Sequence, residues 1–120
     1  MQLRLVEESG VAFVEGVPGE AFMAAAEDVS RVIEVCFAEG AAAALLYAAN
    51  LPPAFFDLSS GQAGTILQKL RNYGIRLAVV GGDAAAPTAR FREMEAEERR
   101  GGQFGLFETR EAAAGWLARP

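Results

Sequence analysis

The run Ile75-Arg76-Leu77-Ala78-Val79-Val80 is apolar at both sets of alternating positions, except at Arg76. A strand of that kind leaves no face for water, and it belongs inside a sheet covered by helices, the arrangement of parallel α/β proteins. The flanking segments supply helices. Ala63, Ile66, Leu67, Leu70 and Tyr73 recur at three- and four-residue spacing and stop at Gly74, which predicts an amphipathic helix with a glycine terminator. On the other side, Thr88 is positioned to cap a charged helix running to Arg100 and stopped by Gly101-Gly102.

The same alternation extends in both directions. Residues 3–8 and 11–15 are short runs with β character around the turn Ser9-Gly10, and they predict a hairpin. After the Pro18-Gly19 break, Phe22, Ala26, Val29, Ile33, Cys36 and Phe37 form a helical stripe that ends at Gly40. Residues 41–49, centred on Leu45-Leu46-Tyr47 and closed by Asn50-Leu51-Pro52-Pro53, have the length of a buried strand. Residues 104–107 form a last short strand, and Thr109 caps a final helix with Ala113, Trp116 and Leu117 on its inner face. The predicted order is β-β-α-β-α-β-α-β-α over one α/β domain spanning 1–120. Its sheet is mixed and mostly parallel, of about five strands, with helices packed on it.

Composition removes whole classes of function. The chain has no histidine and a single cysteine, Cys36, on the stripe of the first helix. A Ser-His-Asp or Cys-His triad is impossible, and most familiar metal sites lose their commonest ligand. One cysteine excludes an internal disulfide and fits a reducing cytoplasm, while the alternating, acidic N-terminal residues fit a strand and not a signal peptide. The net charge of −5 opposes nucleic-acid binding. Arg90, Arg92, Arg99 and Arg100 alternate with Glu93, Glu95, Glu97 and Glu98, as on a solvated helix face. No apolar run is long enough to insert into a membrane.

What chemistry remains gathers in Phe55-Phe56-Asp57-Leu58-Ser59-Ser60-Gly61-Gln62-Ala63-Gly64. Ser59 or Ser60 caps the following helix, or accepts a phosphate that would recharge a docking surface. Gly61 and Gly64 at a helix start either cradle an anion with backbone N–H groups or serve the turn and a close helix–sheet approach. Asp57 and Asp83 follow predicted strands, where open α/β sheets place ligands, although Asx turns and caps use the same residues. Phe55 and Phe56 are both core, or one is core and the other an exposed partner anchor.

The element order is similar to that of the STAS domain of anti-sigma-factor antagonists. Those proteins carry an Asp-Ser-Ser-Gly-Leu-Gly-like turn opening the second helix, then Ile-Leu and a strand containing Val-Val. Asp57, Ser59-Ser60-Gly61, Gly64, Ile66-Leu67 and Val79-Val80 resemble that pattern, with Leu58 inserted before the serines and Gln62-Ala63 where one residue is usual. The chain resembles more closely an uncharacterised bacterial family, the domain of unknown function 4180. Its members share Phe-Phe-Asp-Leu, Gly-x-Ala-Gly, Ile-Leu-Gln-Lys and Asn-Tyr, found here as Phe55-Phe56-Asp57-Leu58, Gly61-Gln62-Ala63-Gly64, Ile66-Leu67-Gln68-Lys69 and Asn72-Tyr73. The Val80-Gly81-Gly82-Asp83 turn and Arg100-Gly101 also match, so the resemblance covers essentially the whole chain. Members of that family often carry Lys-Thr in place of Ser59-Ser60, which implies that a phosphoacceptor at Ser59 is not a family trait.

The expectation is a cytoplasmic, STAS-like regulatory domain that binds a protein partner and is not an enzyme, with no cofactor or metal. Its working surface would comprise Phe56, Asp57, Ser59, Ser60, Gly61 and Gly64, with Asp83 beside them. The alternative is a small-ligand module that holds an anion or nucleotide at the helix start after Asp57. Neither nucleic acid nor membrane insertion is expected, and a homodimer is left open.

Overall fold

The computed structural model describes residues 3–81 and 87–119. Ser9 and Gly10 both take left-handed backbone, with φ of 52° and 82°. This is the two-residue hairpin turn whose twist matches that of its strands. It joins β1 (Arg4–Glu8) to β2 (Val11–Glu15) in unbroken antiparallel register, from Arg4 opposite Glu15 to Glu8 opposite Val11. The chain then passes through α1 (Val29–Glu39), β3 (Ala43–Tyr47), α2 (Gln62–Asn72), β4 (Arg76–Val80), α3 (Ala89–Arg100), β5 (Phe104–Phe107) and α4 (Arg110–Leu117). The sheet order is β1-β2-β3-β4-β5, and every pairing after the hairpin is parallel. The predicted element order and five-stranded mixed sheet are therefore the ones observed.

Sequential parallel strands send every crossover to the same side of the sheet. One core accordingly joins Val32 of α1, Ile66 and Leu70 of α2 and Phe91 of α3 to Val14, Leu46, Leu77 and Phe104 of the sheet. On the opposite face, Ala113, Ala114 and Leu117 of α4 cover Phe13, Leu45, Ala78 and Phe107. The lone polar residue of β4 has a specific task. Arg76 donates to the carbonyls of Leu117 (3.1 Å) and Arg119 (2.8 Å) and lies 4.4 Å over the Trp116 ring. It thereby satisfies carbonyls left open at the C-terminus of α4.

The first helix is shorter than its stripe predicted. It starts at Val29 after a single 3₁₀ turn (Ala26–Asp28). The Asp28 carboxylate accepts the N–H groups of Ala24 (2.9 Å) and Ala25 (3.1 Å), which folds the chain into a turn. Phe22 and Met23 are buried as loop residues, with Met23 N–H bonded to the Asn50 carbonyl at 2.9 Å. Phe37 and Tyr73, both placed on apolar stripes, instead lie 66% and 54% exposed. They pack edge to face at 5.6 Å outside the core.

Asn50 organises the loops at the C-terminal ends of the strands. Wholly buried, it accepts the Tyr47 N–H (2.7 Å) and donates to the carbonyls of Val17 (2.9 Å) and Glu20 (2.7 Å). Gly16 makes room for it, since a Cβ there would stand 2.3 Å from Asn50 Oδ1.

Candidate functional site

The link from β3 to α2 is built from short 3₁₀ turns, among them Pro53–Phe56 and Leu58–Ser60. In such a turn successive side chains diverge by about 120° and not 180°, so neighbours can face the same side. Phe55 and Phe56 do: they are 0% and 9% exposed and pack edge to face at 5.1 Å. Phe55 also meets Phe104 at 5.8 Å, and Phe56 meets Phe91 at 5.5 Å. Phe56 is therefore not an exposed anchor. The pair fastens the loop to the core and leaves the next residues in solvent.

Those residues form a tightly bonded turn. The Asp57 carboxylate accepts the Ser59 N–H at 3.1 Å and the Ser59 hydroxyl at 2.6 Å, an Asx turn. The Ser60 hydroxyl donates to the Ala54 carbonyl at 2.7 Å, and its oxygen accepts the Gln62 N–H at 3.2 Å. That last bond satisfies one of the orphan donors at the start of α2, the capping role foreseen for one of the serines. Gly61, with φ of 78°, supplies the left-handed corner between the turn and the helix. Gly64 does not permit a close approach to the sheet: it is exposed, and a Cβ there would meet nothing within 4 Å. Asp83 lies outside the described residues.

Leu58 of this turn lines two grooves together with residues of α3. An open groove of about 210 Å³ runs between α2 and α3, lined by Leu58, Gly64, Leu67, Gln68 and Met94 and bounded by the Arg71–Glu98 ion pair. A second, of about 490 Å³, lies along α3 against Leu58, Met94, Arg90, Glu93, Glu97 and Arg100. Leu58 and Met94 line both grooves, a half-buried apolar ridge between two charged margins. Sequence reasoning missed this pair because 36 positions, 94 minus 58, separate them. Gln62 Oε1, at the start of α2, is buried and has no hydrogen-bond partner among the described residues.

Two further polar clusters are committed to structure. Across the sheet, Arg110 binds Glu15 through Nε (2.9 Å) and Glu8 through a terminal nitrogen (2.7 Å), while the Tyr47 hydroxyl donates to Glu15 at 2.6 Å. Burial alone would raise the Glu15 pKa, but the bonds from Arg110 and Tyr47 and the charges of Arg110 and Arg4 carry it below the usual carboxylate value. Burial, followed by the bond to Glu15, pushes Tyr47 up to about 12. At the far sheet edge a groove of about 430 Å³ borders Phe91, Arg92, Glu95, Arg99 and Thr109. Its Glu95 accepts from both Arg99 (2.8 Å) and the Leu106 N–H (2.9 Å). Among the described residues no group of three His, Cys, Asp or Glu side chains is placed to hold a metal ion, and no helix is long and apolar enough to cross a membrane.

One family model, described as a domain of unknown function (DUF4180), matches residues 8–117. The chain belongs to the DUF4180 family. No curated protein and no solved structure matches it. Within this DUF4180 domain the segment from Phe55 onward divides into two buried phenylalanines, an exposed hydrogen-bonded turn and a helix start.

Proposed function

We propose that this DUF4180 domain is a non-enzymatic, STAS-like regulatory module that binds a protein partner through the turn at residues 57–60 and the ridge of Leu58 and Met94. The observation that carries the reading is the union of an exposed turn, locked by four hydrogen bonds, with an apolar ridge between two open grooves. Shallow grooves with an apolar centre and a charged margin suit a protein surface better than a small molecule. An anion at this helix start would also face the Asp57 carboxylate, which already holds the Ser59 N–H and hydroxyl.

The serines give such a surface a means of control. A phosphate on Ser60 would abolish its donor bond to the Ala54 carbonyl, and one on Ser59 would stand against Asp57. Either change reshapes the turn without touching the core. We place the module in the cytoplasm, where Cys36, buried and pushed up to about 11, stays an inert thiol.

Affinity capture from host-cell extract, paired with phosphosite mapping, tests this. Wild type should retain a stoichiometric partner that Leu58→Arg and Ser60→Asp lose and that Arg119→Glu, on the other side of the sheet, keeps. The reading fails if no variant changes what is bound, or if a thermal-shift screen finds a small ligand whose stabilisation is abolished by Ser60→Asp.

A further inference from the structure

The two edges of the sheet are treated differently. On β5, whose outer side faces no strand, the backbone of Leu106 is already satisfied: its N–H donates to Glu95 at 2.9 Å and its carbonyl accepts from Arg99 at 2.8 Å. Arg99 also covers the Phe107 ring at 4.7 Å. Side chains of α3 thus occupy the place a further strand would take, one of the ways proteins close an edge. Among the described residues β1 has no such cover. It contains no proline or glycine, it pairs with β2 without a bulge, and among the described residues nothing bonds to its outer backbone groups. A two-residue hairpin makes Glu8 and Val11 a hydrogen-bonded pair, so the groups of Arg4, Val6 and Glu8 point inward to β2. Those of Leu5 and Glu7 point outward.

We infer that β1 is a self-association edge, pairing antiparallel with β1 of a second copy about a twofold axis through Val6. That register sets Leu5 opposite the second copy's Glu7 and Glu7 opposite its Leu5, and these are the residues whose outward N–H and carbonyl groups are unspent. It also sets Arg4 opposite the second copy's Glu8, and the reverse, giving two cross-strand pairs of opposite charge on the face that carries α4. Arg4 is available for this, with a side chain 75% exposed and its nearest carboxylate, Glu15, at 3.9 Å. Glu8 spends one oxygen on Arg110 and can accept more. Shifting the pairing by two residues in one direction sets Glu7 opposite Glu7, and in the other sets Arg4 opposite Val6, so neither neighbour recovers the charge match. Because α3 side chains occupy the β5 edge at Leu106, association stops at a dimer with one continuous sheet and does not run on into a fibre.

Light scattering and sedimentation equilibrium on the full chain test the inference. Wild type should have a mass of twice 12.7 kDa. Glu7→Pro deletes only an outward N–H, which an edge strand tolerates, and should yield a folded monomer. Arg4→Glu turns two attractive cross-strand pairs repulsive and should weaken association on the order of tenfold or more. Should Glu7→Pro fail to fold by circular dichroism, Arg4→Glu decides, since it alters an exposed side chain. Under oxidation Val6→Cys should link two copies and Leu5→Cys should not. A wild-type mass of 12.7 kDa at the highest soluble concentration overturns the inference. So does a dimer indifferent to both Glu7→Pro and Arg4→Glu, or a cross-link through Leu5→Cys in place of Val6→Cys.

Discussion

Gly16 and Asn50 show how one side chain can dictate another's absence. Asn50 holds the carbonyls of Val17 and Glu20, and any Cβ at position 16 would collide with it at 2.3 Å. Gly16→Ala should cost about 2 kcal/mol by overpacking. Asn50→Ala should cost about 3 kcal/mol, because it takes the side-chain acceptor from the Tyr47 N–H and a donor from the carbonyls of Val17 and Glu20. In the double variant the collision is gone, so urea unfolding should give a loss clearly smaller than the sum; strict additivity would refute the coupling. None of this was legible locally. Beside Pro52-Pro53, Asn50 reads as a chain breaker, and the carbonyls it serves lie 33 and 30 residues away. That one of Ser59 and Ser60 caps α2 was legible, because a hydroxyl before a helix has a local partner, and the structure assigns the role to Ser60. Phe56 was open in the sequence, because its direction depends on whether the backbone is extended or turned.

Among the elements, the hairpin and α4 are joined across the sheet by Glu8, Glu15 and Arg110, which lie far apart along the chain. Glu15 is 4% exposed and its pKa is lowered in the folded protein. Its contribution is therefore complete above the unfolded value of about 4.3 and is lost as pH falls through the lower folded value. Glu15→Gln should destabilise the protein at neutral pH by about 3 kcal/mol, since Arg110 keeps its charge without that partner. The same variant should flatten the acid limb of the stability profile, read as urea midpoints against pH. A parallel shift of the two profiles would contradict the assignment. The alternation of strands and helices was written plainly in apolar spacing and glycine stops. The start of α1 was not, because Asp28 folds back on Ala24 and Ala25 and the apolar stripe continues through loop residues that are buried by tertiary contact.

At the scale of the molecule, and among the described residues, α1, α2 and α3 crowd one face of the sheet and α4 covers part of the other. The candidate surface arises where α2 and α3 flank the turn at residues 57–60. Its location was legible, since a polar turn opening a helix after a buried strand is where α/β folds present ligand-facing groups. Its shape was not, because Leu58 and Met94 come to line the same grooves only after α2 and β4 have carried the chain from one to the other. A photo-reactive phenylalanine analogue at position 59, compared with one at position 119 on the far side, tests the central claim most directly. In host-cell extract, irradiation should give one discrete adduct from position 59, absent from position 119 and suppressed by Ser60→Asp. An adduct formed equally from both positions, or from position 119 alone, would contradict the account.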